Sequence, residues 1–150
     1  VKLIDNLQEF LQNHSNSFDI IVMNHVIEHF QKDEILTVLE LVHHALKENG
    51  KLMLSTGNAA AFYGMYIRYI DFTHEICFTE RSLNQALKIT GFSSIIICGN
   101  KNPFKKTIKR IVWLLFNFIW RAILRTIYLC EVGRACPQIL TAELIAVAKK

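Results

Sequence analysis

Glycine is absent before Gly50, and the chain of 150 residues holds only six glycines in all. A loop that turns tightly and lets the backbone approach a nucleotide-like ligand depends on glycine, because a side chain would block both the turn and the approach. The segment before Gly50 therefore cannot contain such a loop. The chain also starts at Val1 and not at a methionine.

Cysteine is scarce as well, and the four cysteines form no C-x-x-C pair. The chain therefore lacks the spacing that is typical of a redox motif or a zinc ribbon. Two of the four lie in apolar runs, where a reduced thiol is ordinary packing. No signal peptide is present in the sequence, and together with reduced thiols this predicts a cytoplasmic protein.

Acidic residues are missing between Glu80 and Glu131, so the net charge of +4 is unevenly distributed. Residues 1–100 carry seven lysines and arginines against eleven acids, whereas residues 101–150 carry ten against two. Hydrophobic residues make up 51% of the chain, which is enough for one buried core. The composition predicts one globular domain with a basic region near its end.

The sequence FDIIVMNHVIEHF, Phe18 to Phe30, is the most informative stretch that is present. Phe18–Met23 is short, apolar and without polar alternation, which is typical of a parallel strand with helices on both faces. Polar groups just beyond the carboxyl end of such a strand lie in the crevice where open α/β sheets bind ligands. This placement marks Asn24, His25, Glu28 and His29 as candidate site residues.

The pattern then repeats. Lys32–Lys47 has an apolar stripe at helical spacing, and Asn49-Gly50 is a plausible stop for that helix. Lys51–Ser55 is a second apolar run, so the unit predicts a right-handed parallel crossover. Further along, the sequence predicts a helix that begins at Thr79–Ser82 and ends at Gly91, and strands at Ser93–Cys98 and Leu144–Ala148.

Several of these segments, in this order, resemble the class I S-adenosylmethionine-dependent methyltransferases. They are Phe18–His29, the turn ENGKL at 48–52, RYIDFTHEICFTERSL from Arg68 to Leu83, and Thr90-Gly91-Phe92. The most similar branch often accompanies cell-surface glycan synthesis. The resemblance covers roughly residues 1–100 and the strand near 140–149, and it implies an α/β fold. That fold is a Rossmann-like methyltransferase sheet, mostly parallel with an antiparallel last strand.

The resemblance also implies that part of the fold lies upstream of Val1. The family's first strand, its glycine-rich loop and its ribose-binding acid have no counterpart here, so residues 1–150 would be the C-terminal part of one methyltransferase domain. We expect the chain alone to bind S-adenosylmethionine weakly and to be inactive. Val1–Leu11 is expected to retain the end of a third strand, with Asp5 or Asn6 near the adenine.

The resemblance and the residue chemistry together suggest roles for the polar residues. Methyl transfer to oxygen needs proximity and a base for the hydroxyl proton, and a histidine paired with an aspartate suits that task. A structural role for Asp71 and His74, as a turn and a helix cap, is the alternative. The predicted catalytic residues are His74, Asp71 and, second in preference as base, His25; cofactor-binding residues are Asn24, His25 and Asp5; substrate-binding residues are Glu28, His29, Asn58 and Arg68.

His25–His29 also spells H-x-x-E-H, the string of one class of zinc proteases. That chemistry needs both imidazoles on one helical face and a third ligand from elsewhere. Here His25 directly follows a predicted strand, so the pair straddles a strand end and a loop. We therefore predict no metal site. The alternative that the resemblance allows is a divalent ion that orients a substrate hydroxyl, but Asn24 or His25 stands where such sites use an additional acid. The simplest role for His29 is to cap the loop by a hydrogen bond.

The basic region contains the segment Lys105–Leu129, predicted as an amphipathic helix inserted at 104–130. One face collects Lys106, Lys109, Arg110, Asn117, Arg121 and Arg125, and the opposite face is apolar. A spanning helix needs about 20 apolar residues, and Arg121 and Arg125 interrupt this one. Two alternatives remain for this helix. It lies in a membrane interface, or it packs against its own domain or against a second subunit in a homodimer. The wide apolar face disfavours binding to nucleic acid.

These observations predict an S-adenosylmethionine-dependent O-methyltransferase that acts on a glycan or a lipid-linked saccharide. We expect it to be cytoplasmic and peripheral at the inner face of the membrane. The alternative is a domain that keeps the fold without catalysis and works through membrane or protein contact.

Overall fold

The computed structural model describes residues 6–100, 108–133 and 136–150, with side chains of the long helix described from Ile111 onward. The chain divides into two compact units. The sheet unit holds the described residues up to Asn100 together with Ile139–Lys150, and the helical unit lies within Lys101–Gln138. Asp5 and residues 105–107 of the predicted helix fall outside the described residues.

The sheet unit alternates strands and helices. Its helices are α1 (Leu7–Gln12), α2 (Glu34–Ala45), α3 (Gly64–Tyr69) and α4 (Glu80–Ile89), with a 3-10 turn at Ile27–His29. Its strands are β1 (Phe18–Asn24), β2 (Leu46–Gly57), β3 (Ser93–Gly99) and β4 (Glu143–Lys149). The helical unit contains α5 (Ile108–Val132).

The four strands form one sheet in the order β1-β2-β4-β3. β1 and β2 pair in parallel, and β4 runs antiparallel to both β2 and β3. The last strand of the chain is thus inserted in reverse between two strands that share the direction of β1. The predicted α/β fold, a partial Rossmann-like sheet that is mostly parallel with an antiparallel last strand, is confirmed.

One face of the sheet is packed against helices whose sequences are suited to it. α2 buries the stripe Ile35, Val38, Leu39, Val42 and Ala45. α4 begins with a capping box in which the Thr79 side chain accepts from the Ser82 N–H and the Ser82 side chain accepts from the Thr79 N–H. Leu83 and Leu87 of α4 are fully buried in the same core. The predicted start of this helix at Thr79–Ser82 is confirmed.

The helix predicted over Lys32–Lys47 ends two residues earlier than expected. The helix ends at Ala45, before Asn49-Gly50, because Leu46 already pairs with Phe18 of β1. The Ser17 N–H also donates to the Ala45 carbonyl at 2.8 Å. Strand pairing with β1 therefore takes over from the helix, and Lys47 lies in β2, where its Nζ contacts Asp19 Oδ2 at 2.8 Å.

The strand end predicted within Val1–Leu11 would precede Asn6, so it lies outside the described residues, and the described part of that segment is a helix. Leu7–Gln12 is helical, and the Asn6 side chain caps it by accepting from the Glu9 N–H at 3.2 Å. An N-cap asparagine followed by Leu7, Phe10 and Leu11 packs better as a helix than as a strand, since these three side chains contact the core from one face.

The opposite face of the sheet carries apolar side chains that lack a covering helix within the described residues of the sheet unit. The register aligns Val22 with Met53, Met53 with Val147, and Val147 with Ile96, one from each strand. Val22, Met53 and Ile96 are 65%, 42% and 66% exposed. The expectation that helices cover both faces of β1 is therefore not met within residues 6–100 and 136–150.

Candidate functional site

The carboxyl ends of β1 and β2 and the start of β4 lie at one edge of the sheet. Asn24 is in register with Ser55, and Gly57 is in register with Glu143. β4 runs antiparallel, so its first residue reaches the edge at which β1 and β2 end. Polar residues from three strands are thereby gathered at the position where this type of sheet binds ligands.

His25 is held at this edge in an unusual backbone conformation. Its φ is +51°, a left-handed value that is uncommon for a residue with a side chain. The His25 N–H donates to the Ser55 carbonyl at 3.1 Å, which ties the residue to the end of β2. Strained residues of this kind cluster at functional sites, so the conformation supports a functional role for His25.

The ring of His25 lies between two carboxylates. Its Nδ1 lies 2.9 Å from Oε1 of Glu28, and its Nε2 lies 3.6 Å from Oε1 of Glu143. Glu28 is 2% exposed, and its Oε2 is buried without a hydrogen-bond partner among the described residues. Because an ionised carboxylate can only accept, Nδ1 carries the proton and Nε2 presents its lone pair. A carboxylate-held imidazole of this kind is suited to take up a proton.

The segment after α3 is attached directly beside this histidine. The backbone N–H groups of Glu75 and Ile76 both donate to the Glu28 carbonyl, at 2.8 and 3.2 Å. Arg68 donates from Nη2 to the Glu75 carbonyl and stacks over the Tyr69 ring at 5.1 Å. The regions around Glu28 and Glu75, which α2, β2 and α3 separate in the sequence, are thus joined into one polar site. The guanidinium of Arg68 is used to hold the second of these regions in place.

A chain of hydrogen bonds connects His29 to Asp71. Thr73 Oγ1 donates to Asp71 Oδ1 at 2.7 Å, so it must accept from His29 Nδ1 at 2.9 Å. The Thr73 N–H donates to the same Asp71 oxygen at 2.9 Å. These two bonds from Thr73 hold the pKa of Asp71 below its ordinary value. The predicted loop-capping hydrogen bond of His29 is present, with Thr73 as its partner.

The expected pair between His74 and Asp71 is not formed between their side chains. His74 Nδ1 lies 3.1 Å from the Ile67 carbonyl, and since a carbonyl only accepts, Nδ1 is the donor there. The Asp71 carboxylate is turned toward Thr73 because the next two residues form a tight turn around it. His74 packs edge-on against His29, with ring centroids 4.8 Å apart, and lacks a carboxylate partner among the described residues.

The remaining predicted residues differ in their surroundings. Asn24 is exposed at the end of β1 and accepts a short hydrogen bond from Ser55 Oγ. Asn58 is fully buried; its Nδ2 donates to the Ile139 and Thr141 carbonyls and its Oδ1 accepts from the Ala60 N–H. The expected contact of Asn58 with substrate does not fit this geometry, because the amide fastens the loop after β2 to the start of β4.

Two features of the site were not anticipated from the sequence. The first is the contact of Glu143 with His25. An acid directly before LIAVA, in a last strand expected to run antiparallel, was the sequence signal that could have predicted this contact. Beside the site, α3 and its flanks expose a dense set of large side chains, a feature that the aromatic spacing could have indicated. This aromatic patch comprises Phe62, Tyr63, Met65, Tyr66, Tyr69, Ile70 and Phe72.

Metal and thiol chemistry find little support in this part of the structure. Within the described residues, no three His, Cys, Asp or Glu side chains come close enough to hold a metal ion. His25 directly follows β1 and His29 belongs to a 3-10 turn, so they do not share the helical face that H-x-x-E-H chemistry needs. Burial raises the pKa of the Cys77 thiol, which keeps it protonated and a poor nucleophile.

Comparison with known proteins is consistent with this geometry. The profile of a methyltransferase-domain family matches residues 3–95. No curated protein matches the chain significantly.

Solved structures of other proteins resemble nine tenths or more of the chain. An S-adenosylmethionine-dependent methyltransferase from Archaeoglobus fulgidus has a TM-score of 0.69 at 17% identity, over 99% of this chain and 66% of that one. A methyltransferase from Thermotoga maritima, a possible histamine N-methyltransferase, has a TM-score of 0.58 at 16% identity, over 91% and 57%. Phosphoethanolamine N-methyltransferase 2 of Haemonchus contortus, in complex with phosphomonomethylethanolamine and S-adenosylhomocysteine, has a TM-score of 0.54 at 17% identity, over 91% and 34%. The chain thus spans less than two thirds of the length of these proteins.

Proposed function

Because the chain belongs to the methyltransferase-domain family whose profile covers most of it, we propose that it forms the C-terminal part of an S-adenosylmethionine-dependent methyltransferase. The proposed reaction is transfer of a methyl group to a hydroxyl of a glycan or a lipid-linked saccharide. The observation that carries the proposal is the His25–Glu28 pair at the carboxyl edge of β1 and β2.

S-adenosylmethionine fits one side of this edge. It is a sulfonium that supplies an activated methyl group. The exposed Asn24 side chain and the backbone at the ends of β1 and β2 form a polar rim that suits its amino acid and ribose groups. The segment before Gly50 has no glycine, so the opposite wall of the cleft is not supplied by these residues.

We propose that residues upstream of Val1 supply that wall. Two observations support this part. β1 is the terminal strand of the described sheet, with its outer edge unpaired within it. The face that carries Val22, Met53 and Ile96 is exposed, although these side chains are typical of a covered sheet. An additional strand beside β1 and helices on this face would cover both surfaces.

For the proton acceptor, the contacts favour His25 over His74. Both rings have Nδ1 engaged as a donor, so in each neutral ring Nε2 is the nitrogen that can take a proton. Of the two histidines, only His25 has carboxylates beside it, the buried Glu28 and the half-exposed Glu143. These carboxylates would stabilise the imidazolium that forms when the ring takes the proton. His74 remains the second candidate, with His29 as its neighbour.

The aromatic patch supports a saccharide acceptor. Aromatic rings at the surface can stack on the apolar faces of sugar rings, whereas a small polar acceptor has no use for so large a platform. Tyr66, Tyr69 and Phe72 are 65%, 69% and 102% exposed, and the segment is fastened to Glu28 through Glu75 and Ile76. The segment that follows the patch is therefore bonded to the backbone of Glu28, whose side chain holds His25.

A non-catalytic domain that works through contact is the second candidate. The observation that favours it is the exposed apolar surface of α5, which a soluble enzyme does not require for chemistry. Activity of the complete enzyme separates the two candidates.

The first experiment tests the division of the cofactor site. By isothermal titration calorimetry we expect no saturable binding of S-adenosylmethionine to residues 1–150, and binding to a protein extended upstream through the in-frame coding sequence. Micromolar binding by residues 1–150 alone would contradict the proposed upstream wall.

The second experiment tests the base in the extended enzyme. His25→Ala should lower turnover by roughly 100-fold or more with cofactor affinity little changed, as expected for loss of a general base. Glu28→Gln should lower turnover and shift the acidic limb of the pH–rate profile. If His74→Ala has the large effect and His25→Ala does not, the assignment of the base is reversed; if neither has an effect, the O-methyltransferase mechanism fails.

A further inference from the structure

The helix α5 exposes apolar side chains along its whole described length. None of the helix from Ile111 to Val132 is buried, and by length and composition this segment could cross a membrane. Phe116, Phe118, Leu115 and Ile111 are 72%, 75%, 60% and 60% exposed. A helix that is apolar over most of its surface is stable in water only if something else covers it.

The polar residues of α5 lie on one side. At 3.6 residues per turn, Asn117, Arg121, Arg125 and Tyr128 form a single stripe, and apolar residues occupy about half of the circumference or more. Asn117 and Thr126 donate to carbonyls of their own helix, Trp113 and Ala122, so part of their hydrogen bonding is satisfied within the helix. The charges of Ile111–Val132 are Arg121, Arg125 and Glu131.

The position of the arginines indicates how such a helix meets a bilayer. Arg121 and Arg125 lie near the middle of Ile108–Val132, where a spanning helix would hold them in the hydrocarbon centre. A helix that lies parallel to the membrane surface instead keeps Arg121 and Arg125 at the level of the headgroups. Trp113 and Trp120 lie at the border of the stripe, the depth that tryptophan prefers in membranes.

The charge of the surrounding sequence selects the kind of surface. Residues 101–150 carry ten lysines and arginines against two acids, and a stretch of more than forty residues before Glu131 has no acid. A second copy of this region would bring like charges together, whereas an anionic bilayer is complementary to them. The apolar arc is also wider than the stripe that one helix buries against a sheet.

We propose that α5 binds in the interface of an anionic membrane, with its Arg121–Arg125 stripe at the headgroups and the opposite apolar face in the acyl region. The proposal is independent of the catalytic assignment, because it concerns a helix in a separate unit of the chain. It gives the proposed enzyme a peripheral position at a membrane surface.

The chain carries its own reporter for this proposal. Its two tryptophans, Trp113 and Trp120, both lie in α5, so intrinsic tryptophan emission reports on this helix alone. With equimolar phosphatidylglycerol and phosphatidylcholine vesicles at low salt, we expect the protein to float with the vesicles and its emission to shift to the blue. Phosphatidylcholine vesicles should give neither result, and high salt should release the protein. Flotation separates vesicle-bound protein from aggregate, which sediments.

Charge variants test the stripe. Arg121→Glu with Arg125→Glu should weaken binding to anionic vesicles by about 30-fold or more, since each cation near such a surface contributes about fivefold. Arg121→Lys with Arg125→Lys keeps the charges and should keep binding. The matched control is Arg81→Glu with Lys88→Glu on the exposed face of α4, which makes the same change of net charge and should retain most of the binding. Circular dichroism checks that each variant is folded.

The orientation is tested with Trp113→Phe and Trp120→Phe, which leave one tryptophan each. In the interface, both remaining tryptophans should be quenched more by lipids brominated near the headgroup than by lipids brominated near the terminal methyl. Stronger quenching of Trp120 by the deep bromines would indicate a spanning helix and overturn the proposal. Absence of flotation with anionic vesicles would also overturn it, and a dimer by analytical ultracentrifugation that Phe116→Ser and Ile123→Ser dissociate would then identify a second copy as the partner.

Discussion

The helices α2 and α5 are both rich in aliphatic residues, but their surroundings are opposite. In α2, Val38, Leu39 and Val42 are between 0% and 1% exposed, because the helix packs against α1, β2 and α4. In α5, Leu115, Ile119 and Ile127 are 60%, 56% and 53% exposed. One helix completes a core within its own unit, and the other presents its apolar surface outward.

The difference shows that apolar content alone does not decide the role of a helix. α2 has a stripe of apolar residues and exposed polar ones such as Glu40 and His44, so it can be covered on one face and hydrated on the other. α5 is apolar over a much wider arc and carries cations in its middle. Its sequence is suited to a medium that is apolar on one side and anionic on the other, whereas that of α2 is suited to a sheet.

The largest expected effect comes from making the same substitution in both helices. Leu39→Ala in α2 should lower the free energy of unfolding by about 2–5 kcal/mol, because it leaves a cavity in a fully buried site. Leu115→Ala in α5 should change it by about 0.5 kcal/mol or less, since its side chain is 60% exposed. Urea denaturation followed by circular dichroism measures both.

A large loss in Leu115→Ala would break the comparison. It would mean that α5 is covered by protein in solution, either by its own sheet unit or by a second copy. Repeating the measurement over a range of protein concentrations separates these cases, because only the second copy makes stability concentration-dependent.

Much of the sheet unit was predictable from sequence, because local and long-range signals agree there. Phe18–Met23, the capping box of Thr79 and Ser82, and LIAVA of β4 each carry a pattern with one stable solution. The end of α2 was predicted too late because the pairing of Leu46 with Phe18 is a contact between distant residues, which no local pattern contains.

The sequence grouped part of the candidate site but did not give its pairing. His25, Glu28 and His29 follow a strand end as expected, and Asp71 and His74 lie next to His29, whereas Asn58 is engaged elsewhere. The sequence suggested a pair between His74 and Asp71 by proximity, but side-chain partners depend on the turn that directs Asp71 to Thr73. The role of Glu143 depended on the antiparallel entry of β4, which only topology reveals.

A second comparison sharpens the contrast between tight and open positions. A Cβ at Gly57 would lie 2.7 Å from Cγ2 of Ile67 and 3.5 Å from Sγ of Cys77, so Gly57→Ala should cost about 1–3 kcal/mol through overpacking between β2 and α3. Gly133 follows α5 with φ of +64°, and an added Cβ would have no atom of the described residues within 4 Å. Gly133→Asn, which tolerates that backbone, should be nearly neutral in thermal unfolding. Equal losses in the two variants would contradict the description of the α5 terminus as open.

The smallest expected effect is a pH dependence that belongs to α2 and not to α5, which has no histidine. Burial lowers the pKa of His43 below its ordinary value of 6.5, the charge of Lys150 adds to this, and the Gly91 backbone and Glu48 oppose it. The ring also packs edge-on against Phe92, with centroids 5.0 Å apart. The pKa of His43 is lower in the folded chain than in the unfolded chain, so between these two pKa values the unfolded chain binds more protons. The contribution of His43 to the free energy of unfolding is therefore complete above pH 6.5 and is lost as the pH falls toward the folded pKa.

His43→Gln should flatten this part of the curve of stability against pH, and Lys150→Met should raise the pKa of His43 in an NMR titration. A His43 resonance that titrates above 6.5 would contradict the proposed effect of burial.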